Sequence, residues 1–260
     1  MLALLLGALT GLSLGLTGAG GGILAIPALV LGLGFSLSQA TPIALLAVGS
    51  AALLGALDGL HKHIVRYRAA LFMAAIGALC TKLGLWLGQE LPERYLLFAF
   101  AVLMLWIASK MWRKTASTAA EQIKPCSVNP KTGRLFWTVR SSATLASIGA
   151  CTGLFSGMLG VGGGFLIVPS LRRYSNLTMH SIVATSLLLI ALVSLSGAAV
   201  ALSHGVLIPQ TGWLFIGAAL VGMLIGRLSA ARIPAQTLQT GFSVLTATVA
   251  IVLLYKSLNG

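Results

Sequence analysis

Charged side chains are scarce in this 260-residue chain, and acidic ones are the scarcest. Asp and Glu together number 4 against 17 Lys and Arg, so charged residues make up only 8% of the chain. A soluble domain carries roughly 25% charged residues and needs them to cover its surface. Hydrophobic residues make up 57%, and the mean hydropathy is +0.98. The composition excludes a soluble protein and predicts a membrane protein with several spans.

The few acidic residues also avoid the interiors of the apolar segments. All four lie in loops or near segment ends: Asp58, Glu90, Glu93 and Glu121. This speaks against a proton or sodium relay built from buried carboxylates. The 3 cysteines form no C-x-x-C pair, which speaks against a thiol-redox carrier. Because the spans also lack a nucleophile–base pair or a carboxylate pair, we expect neither an enzyme nor a cofactor.

The net charge of +13 has two readings, nucleic-acid binding and membrane topology. Lys and Arg gather in short stretches between apolar segments, where cytoplasmic loops face anionic lipid. We therefore expect the lipid bilayer as a partner and no nucleic acid. The oligomeric state is left open by the sequence.

Eight apolar segments divide the chain. Six have 18 to 24 residues, which suits one helical span each: 37–57, 69–88, 95–112, 180–203, 207–228 and 237–255. The other two, 2–32 and 141–172, would reach about 46 Å as helices against a hydrocarbon core of about 30 Å. Polar residues concentrate between the halves. The predicted organisation is a first transmembrane repeat (1–112), a polar basic linker (113–140) and a second transmembrane repeat (141–260).

A repeat relates the two halves. Residues 11–27 read GLSLGLTGAGGGILAIP, and residues 153–169, which lie 142 positions later, read GLFSGMLGVGGGFLIVP. Further along, Ala40-Thr41 pairs best with Ala184-Thr185, which shifts the offset by two. The repeat predicts an all-α polytopic membrane protein of two homologous four-segment halves, with segments 1 and 5 broken at the glycine runs. Duplicated halves are typical of secondary transporters.

The spacing G-x-x-G-x-G-G-G-x-x-x-x-P occurs in both halves, and the second half continues with Ala184-Thr185-Ser186-Leu187 and His204-Gly205-Val206. In these motifs the chain resembles the sulfite exporter TauE/SafE family of membrane permeases, over nearly its whole length outside the linker. The resemblance implies transport of sulfite, sulfonates or other small anions. The first half departs from the family pattern with Ala40-Thr41-Pro42, so a hydroxyl at position 42 is absent.

Basic residues predict the topology. The loop 58–68 and the region 110–140 are both basic and lie two spans apart, so both are assigned to the cytoplasm. If segment 141–172 crosses the membrane, 11 basic residues lie inside and 5 outside; if it is a re-entrant hairpin, the counts are 14 and 2. Charge and length favour the hairpin, which leaves three spans per half and makes the halves inverted. A discontinuous crossing helix with parallel halves is the alternative.

The glycine runs form the candidate anion site, because a helix that restarts after a glycine run points free N–H groups at the gap. The predicted substrate-binding residues are Gly20, Gly21, Gly22, Gly162, Gly163, Gly164, Thr41, Thr185, Ser186 and Lys82. Ser50 and Ser194 are weaker hydroxyl candidates. The alternatives are close packing for the glycines, bonds within their own helix for the hydroxyls, and snorkelling for Lys82.

The remaining motif residues are predicted to be structural. They serve as helix-contact glycines and as prolines that bend or end the restarted helices: Gly15, Gly18, Pro27, Gly157, Gly160 and Pro169. Asp58, His61 and His63 are metal-ligand types, but they lie in a basic loop, and we predict no metal site there.

The resulting prediction is a permease for small anions in the inner (plasma) membrane of a bacterium. It exports sulfite, sulfonate or a related sulfur-containing anion by alternating access of the two repeats around the paired glycine breaks. An anion channel, a metal-ion transporter and a membrane protein without a transport role remain alternatives.

Overall fold

The computed structural model describes residues 1–18, 21–113, 138–230 and 235–259, and these ranges contain helices and no β-strand. After α1 (Leu2–Thr17) comes a short stretch, which we call the first broken segment: a 3-10 turn (Gly21–Leu24), α2 (Ala25–Pro27) and a π-helical turn (Ala28–Gly32). The other helices are α3 (Leu37–His61), α4 (Tyr67–Glu90), α5 (Glu93–Arg113), α6 (Val139–Leu159), α7 (Gly164–Tyr174), α8 (Met179–Ser203), α9 (Gln210–Ala230) and α10 (Ala235–Asn259).

Within the described ranges, five helices are long and apolar enough to cross a membrane: α3, α4, α6, α8 and α9. Shorter apolar helical stretches include Leu2–Thr17 and Gly22–Gly32. The predicted all-α membrane protein is therefore confirmed at this level. Most of the predicted linker, residues 114–137, lies outside the described residues.

Glycines let helices α1 and α9 pack with their backbones in contact. A Cβ on Gly11 would overlap the carbonyl oxygen of Ala219, and a Cβ on Gly15 would lie 2.5 Å from the carbonyl oxygen of Met223. Such spacing is possible only without side chains, which is how small residues bring helices together in membranes. Helix α1 is therefore held against a helix of the other half.

The same contact recurs between α6 and α4. A Cβ on Gly153 would overlap the carbonyl oxygen of Gly77, and one on Gly157 would overlap that of Thr81. These residues lie 142 positions from those of the α1–α9 contact, with the halves exchanged. Each half thus packs its first helix on the third long helix of the other half.

The offset of 142 also holds where the sequence suggested a shift of two. Gly18 faces Val183, and Gly160 faces Thr41. By these contacts the residue equivalent to Thr41 is Val183 and not Thr185, because α3 and α8 contain no insertion relative to each other.

Helices α3 and α8 cross in opposite directions at the centre of the bundle. Gly49 lies beside Ser194, in the second half of α8, whereas Gly59 lies beside Ala184, near the start of α8. Equivalent helices of the two halves therefore run antiparallel.

The first broken segment returns along α1. A Cβ on Gly32 would overlap the side chain of Leu6, although Gly18 lies near the start of α8, at the far end of the bundle. Residues 1–18 and 21–32 thus form an antiparallel helical hairpin. The second half turns in the opposite sense: Gly160 lies beside Thr41 near the start of α3, and α7 then runs back toward the start of α8.

Basic side chains collect where α4 and α8 begin, which we call the basic end. The backbone N–H of Arg66 donates to Oγ1 of Thr185 at 3.0 Å and joins the two helix starts. At the opposite end, the N–H of Leu37 donates to Oε1 of Glu93 at 2.9 Å, and Nζ of Lys256 donates to the carbonyl of Val30 at 3.4 Å.

Candidate functional site

The second glycine run interrupts the helix of segment 5. Helix α6 ends at Leu159, and Gly160, Gly162 and Gly163 have φ values of +64°, +72° and +65°. This left-handed region is open to glycine and strained for residues with a Cβ. Helix α7 begins at Gly164 with Gly163 as its N-cap. The first N–H groups of α7, which lack partners within the helix, therefore face the break.

The first glycine run lies against the second. Helix α1 ends at Thr17, Gly18 has a φ of +75°, and the 3-10 turn begins at Gly21. A Cβ on Gly22 would lie 2.8 Å from the carbonyl oxygen of Val161 and 3.0 Å from Cγ1 of Val48. The structure thus brings Gly22 to the second break, whereas the predicted site residue Gly20 lies outside the described residues.

The two motif prolines differ in their settings. Pro27 is the last residue of α2 and is followed by the π-helical turn, while Pro169 lies inside α7. Only Pro27 therefore stands at a boundary between helix types, and α7 continues past Pro169 to Tyr174.

Three buried hydroxyls surround the second break, and we call them the hydroxyl cluster: Thr152, Ser156 and Ser194. Each is 0% exposed and has no hydrogen-bond partner in the part of the chain that the structure describes. A Cβ on Gly162 would lie 3.0 Å from Oγ of Ser194, and one on Gly163 would overlap the methyl group of Thr152. Ser156 lies one helical turn beyond Thr152 on α6.

A buried hydroxyl without a partner costs about 1–3 kcal/mol, so most such groups in proteins are bonded. Three of them beside one helix start therefore form a set of donors that a polar ligand would satisfy. Together with the N–H groups of α7 they suit an oxyanion, because every group in the set can donate.

The hydroxyls predicted from the sequence are engaged elsewhere. Thr41 donates to the carbonyl of Leu37 at 2.8 Å, and Ser186 donates to that of Ile182 at 2.7 Å. Thr185 accepts the N–H of Arg66. Thr41 still lies beside Gly160, but its proton is used within its own helix, as the alternative interpretation expects.

Lys82 lies on an exposed face of α4. The contacts of the glycine breaks do not include it. Its exposure agrees with the snorkelling alternative, in which the ammonium reaches the membrane interface along the outside of the bundle.

Thr152 and Ser156 were not among the residues predicted from the sequence. Their signal was present: two hydroxyl residues stand four positions apart in an apolar segment, directly before the glycine run. That spacing places both on one helix face. Ser194 was among the weaker candidates, as was Ser50. The two differ in that the hydroxyl of Ser50 donates to the carbonyl of Leu46 at 2.6 Å, whereas that of Ser194 has no partner among the described residues.

The equivalent positions of the first half are different. The residues 142 positions before Thr152 and Ser156 are Thr10 and Leu14. Thr10 donates to the carbonyls of Leu6 and Gly7. The hydroxyls of the cluster therefore belong to the second half, and the surroundings of the two breaks are asymmetric.

Among the residues of metal-ligand type, Asp58 is engaged in ion pairs. The carboxylate of Asp58 accepts bonds from Arg227 and, at 3.0 Å, from Nζ of Lys62. Among the described residues there is no group of three or more His, Cys, Asp or Glu side chains able to hold a metal ion.

Comparison with known proteins gives matches along the whole chain. The family model described as "Sulfite exporter TauE/SafE" matches residues 3–253. A "Probable membrane transporter protein" of Xylella fastidiosa is 29% identical over 260 residues, covering 96% of this chain and 93% of the relative. A protein of Haemophilus influenzae with the same description is 27% identical over 283 residues and covers 98% of both chains. No solved structure gives a significant match.

Proposed function

The chain belongs to the sulfite exporter TauE/SafE family, and from that premise we propose that it exports sulfite, a sulfonate or a related sulfur-containing anion. Membership makes it a multi-pass membrane transporter of a small molecule and not an enzyme. The anionic nature of the cargo, its identity and its route through the inner (plasma) membrane of a bacterium are the proposed part.

The hydroxyl cluster is the observation that carries the proposal. Thr152, Ser156 and Ser194 offer unpartnered donors beside the start of α7. Sulfite and sulfonates present three oxygens that accept hydrogen bonds, and the positive end of a helix dipole favours their charge. Gly162 and Gly163 let the anion approach the backbone, because neither carries a side chain that would cover the N–H groups.

The arrangement of the helices supports alternating access. We infer that α1 with the first broken segment, and α6 with α7, are re-entrant hairpins, which leaves three full spans in each half. The return of Gly32 to Leu6 supports this topology. In a transporter with inverted halves, each half takes the conformation of the other when the site opens to the opposite side of the membrane. The antiparallel course of α3 and α8 supports such an inversion.

The parts that move relative to each other are two helix pairs, each made of helices from both halves: α1 with α9, and α6 with α4. Because α1 is fixed to α9 and α6 to α4 by backbone contacts, each pair moves as a unit. The contact between α3 and α8 at Gly49 and Ser194 lies between the groups and beside the site, so sliding there changes access to the anion.

Sulfite flux into proteoliposomes tests the proposal. Replacing Ser194 by Ala removes one free donor, and we expect the flux at low sulfite concentration to fall about tenfold or more. Ser50→Ala is the matched control, because that hydroxyl donates to the carbonyl of Leu46, and it should leave the flux nearly unchanged.

Equal flux in the two variants would remove the hydroxyl cluster from the mechanism. Counterflow distinguishes a carrier from an anion channel. In proteoliposomes preloaded with unlabelled sulfite, a carrier takes up labelled sulfite faster than in empty ones, and a channel does not. The absence of counterflow would contradict alternating access while leaving anion transport intact.

A further inference from the structure

The ion pair between Asp58 and Arg227 does not use the full binding capacity of the arginine. Nε and Nη2 of Arg227 both donate to Oδ2 of Asp58, and Nζ of Lys62 donates to the same oxygen at 3.0 Å. One carboxylate oxygen therefore serves three donors. The strongest arginine pairs are bidentate, with a separate oxygen for each N–H group. An oxyanion that offers two oxygens suits this edge of the guanidinium better than the single oxygen of Asp58.

The basic end around this pair has few acceptors. Of the acidic residues that the structure describes, only Asp58 lies there, because Glu90 ends α4 and Glu93 begins α5 at the opposite end. Nε of Arg66 is buried at the basic end and has no hydrogen-bond partner among the described residues. The basic side chains of this end are Lys62, Arg66, Arg68, Arg172, Arg173 and Arg227. This excess of positive charge attracts anions from solution.

The ion pair is also accessible from solution. The side chains of Arg227 and Asp58 are 28% and 36% exposed. Ion pairs with this degree of exposure are weak, because water and dissolved ions compete with each partner. A dissolved anion can therefore replace the carboxylate without opening the core.

The guanidinium of Arg227 lies at the contact between α3 and α8, which leads to the hydroxyl cluster. Its Nη1 lies 3.0 Å from the position of a Cβ on Gly55, and Cδ1 of Leu187 lies 2.8 Å from the same position. Further along this contact, Gly49 lies beside Ser194 of the hydroxyl cluster. From Gly55 to Gly49 the distance is about 9 Å along α3. An anion bound at Arg227 is therefore close to the proposed central site.

We propose that Arg227 forms an entry site for the transported oxyanion at the basic end, and that Asp58 occupies this site until the anion displaces it. The equivalent positions of the repeat hold Leu85 and Val200, which carry no charge. The entry site therefore belongs to one end and favours loading from the side that the charge pattern predicts to be cytoplasmic. This inference rests on the proposed function, because it assumes that the chain transports an oxyanion.

Thermal unfolding of the full chain in detergent, at increasing sulfite concentration and constant ionic strength, measures binding independently of flux. Asp58→Asn removes the charge of the competing carboxylate, so we expect the half-saturating sulfite concentration for stabilisation to fall about tenfold. Adding Arg227→Gln to the same chain should remove this gain. Glu90→Gln makes the same change of charge at the opposite end, and as the matched control it should leave the concentration unchanged.

A second variant covers the case in which Asp58→Asn fails to fold. Arg227→Lys keeps the positive charge but cannot donate two parallel hydrogen bonds, so the half-saturating sulfite concentration should rise about threefold or more above that of the native chain. An ion pair with a structural role alone would lower the melting temperature in these variants and leave its dependence on sulfite unchanged.

The possible outcomes separate this inference from the proposed function. An unchanged half-saturating concentration in both Asp58→Asn and Arg227→Lys, with sulfite flux still sensitive to Ser194→Ala, would overturn the entry site and leave the proposed function standing. An equal gain in Glu90→Gln would also overturn it, because net charge alone would then explain the effect. A gain that depends on Arg227 in a chain without sulfite flux would contradict the proposed function and retain the anion site.

Discussion

Arg227 and Asp58 join the end of α9 to the end of α3: Nε and Nη2 of the arginine both donate to Oδ2 of the aspartate, the first at 2.9 Å. The positions 142 residues away hold Leu85 and Val200, at the other end of the bundle. This ion pair therefore joins the two halves at the basic end, and the equivalent positions at the opposite end cannot form one.

Asp58→Asn is expected to lower the stability of the protein by about 1–2 kcal/mol, because it leaves a half-buried guanidinium without its counter-charge. Thermal unfolding in detergent, followed by tryptophan fluorescence, measures the loss. Lys62→Ala is the control, since Lys62 meets the same carboxylate from an exposed position and should cost well under about 1 kcal/mol. Equal losses for the two variants would contradict the assignment.

Gly153→Ala is expected to destabilise the α4–α6 pair by about 1–3 kcal/mol or more, because its Cβ overlaps the backbone of Gly77. Gly217→Ala is the matched change in α9, where a Cβ meets nothing within 4 Å among the described residues. It should leave stability unchanged or raise it by up to about 1 kcal/mol through helix propensity. Melting curves of the two variants that coincide would refute the close contact.

Gly163→Ala is expected to reduce sulfite flux. The added Cβ meets the methyl group of Thr152 and sits at a φ of +65°, which costs about 1–2 kcal/mol for alanine. Thr152→Ser in the same chain removes that methyl and keeps the hydroxyl, so part of the flux should return. Full activity of the single variant would show that the break tolerates a side chain and does not need close approach.

Cysteine labelling tests the hairpin topology. In a chain with Cys80, Cys126 and Cys151 replaced by Ala, a cysteine at Arg172 should react only with reagents added from the cytoplasmic side. A cysteine at Arg94, which is exposed at the opposite end, should react only from outside. Labelling of position 172 from outside would support a crossing segment with parallel halves instead.

The helices and their breaks were predictable because they depend on local sequence. The length of each apolar segment indicates a span. The runs at Gly20–Gly22 and Gly162–Gly164 disfavour a continuous helix, because each glycine in a helix interior costs about 1 kcal/mol relative to alanine. The pairing of α1 with α9 was not predictable. Gly11 and Gly15 indicate a close neighbour, but any helix with a small-residue face could have filled that place.

The hydroxyls show a second limit of sequence reasoning. Ser186 and Ser194 lie on the same helix and differ only in whether the hydroxyl proton reaches a carbonyl one turn earlier. That choice depends on rotamer and neighbours, and spacing along the chain carries no signal for it. The glycine motif indicated the region in which we propose the site, while the donors within it required coordinates.

The exchange of first helices between the halves bears on how the protein is made. The glycine face of α1 finds its partner α9 only after roughly 200 further residues have been synthesised, which takes about 10–40 s at ordinary rates of translation. Until then the first half is inserted without its closest neighbour. The two halves therefore cannot mature one after the other as independent units, and assembly finishes only when nearly the whole chain has entered the membrane.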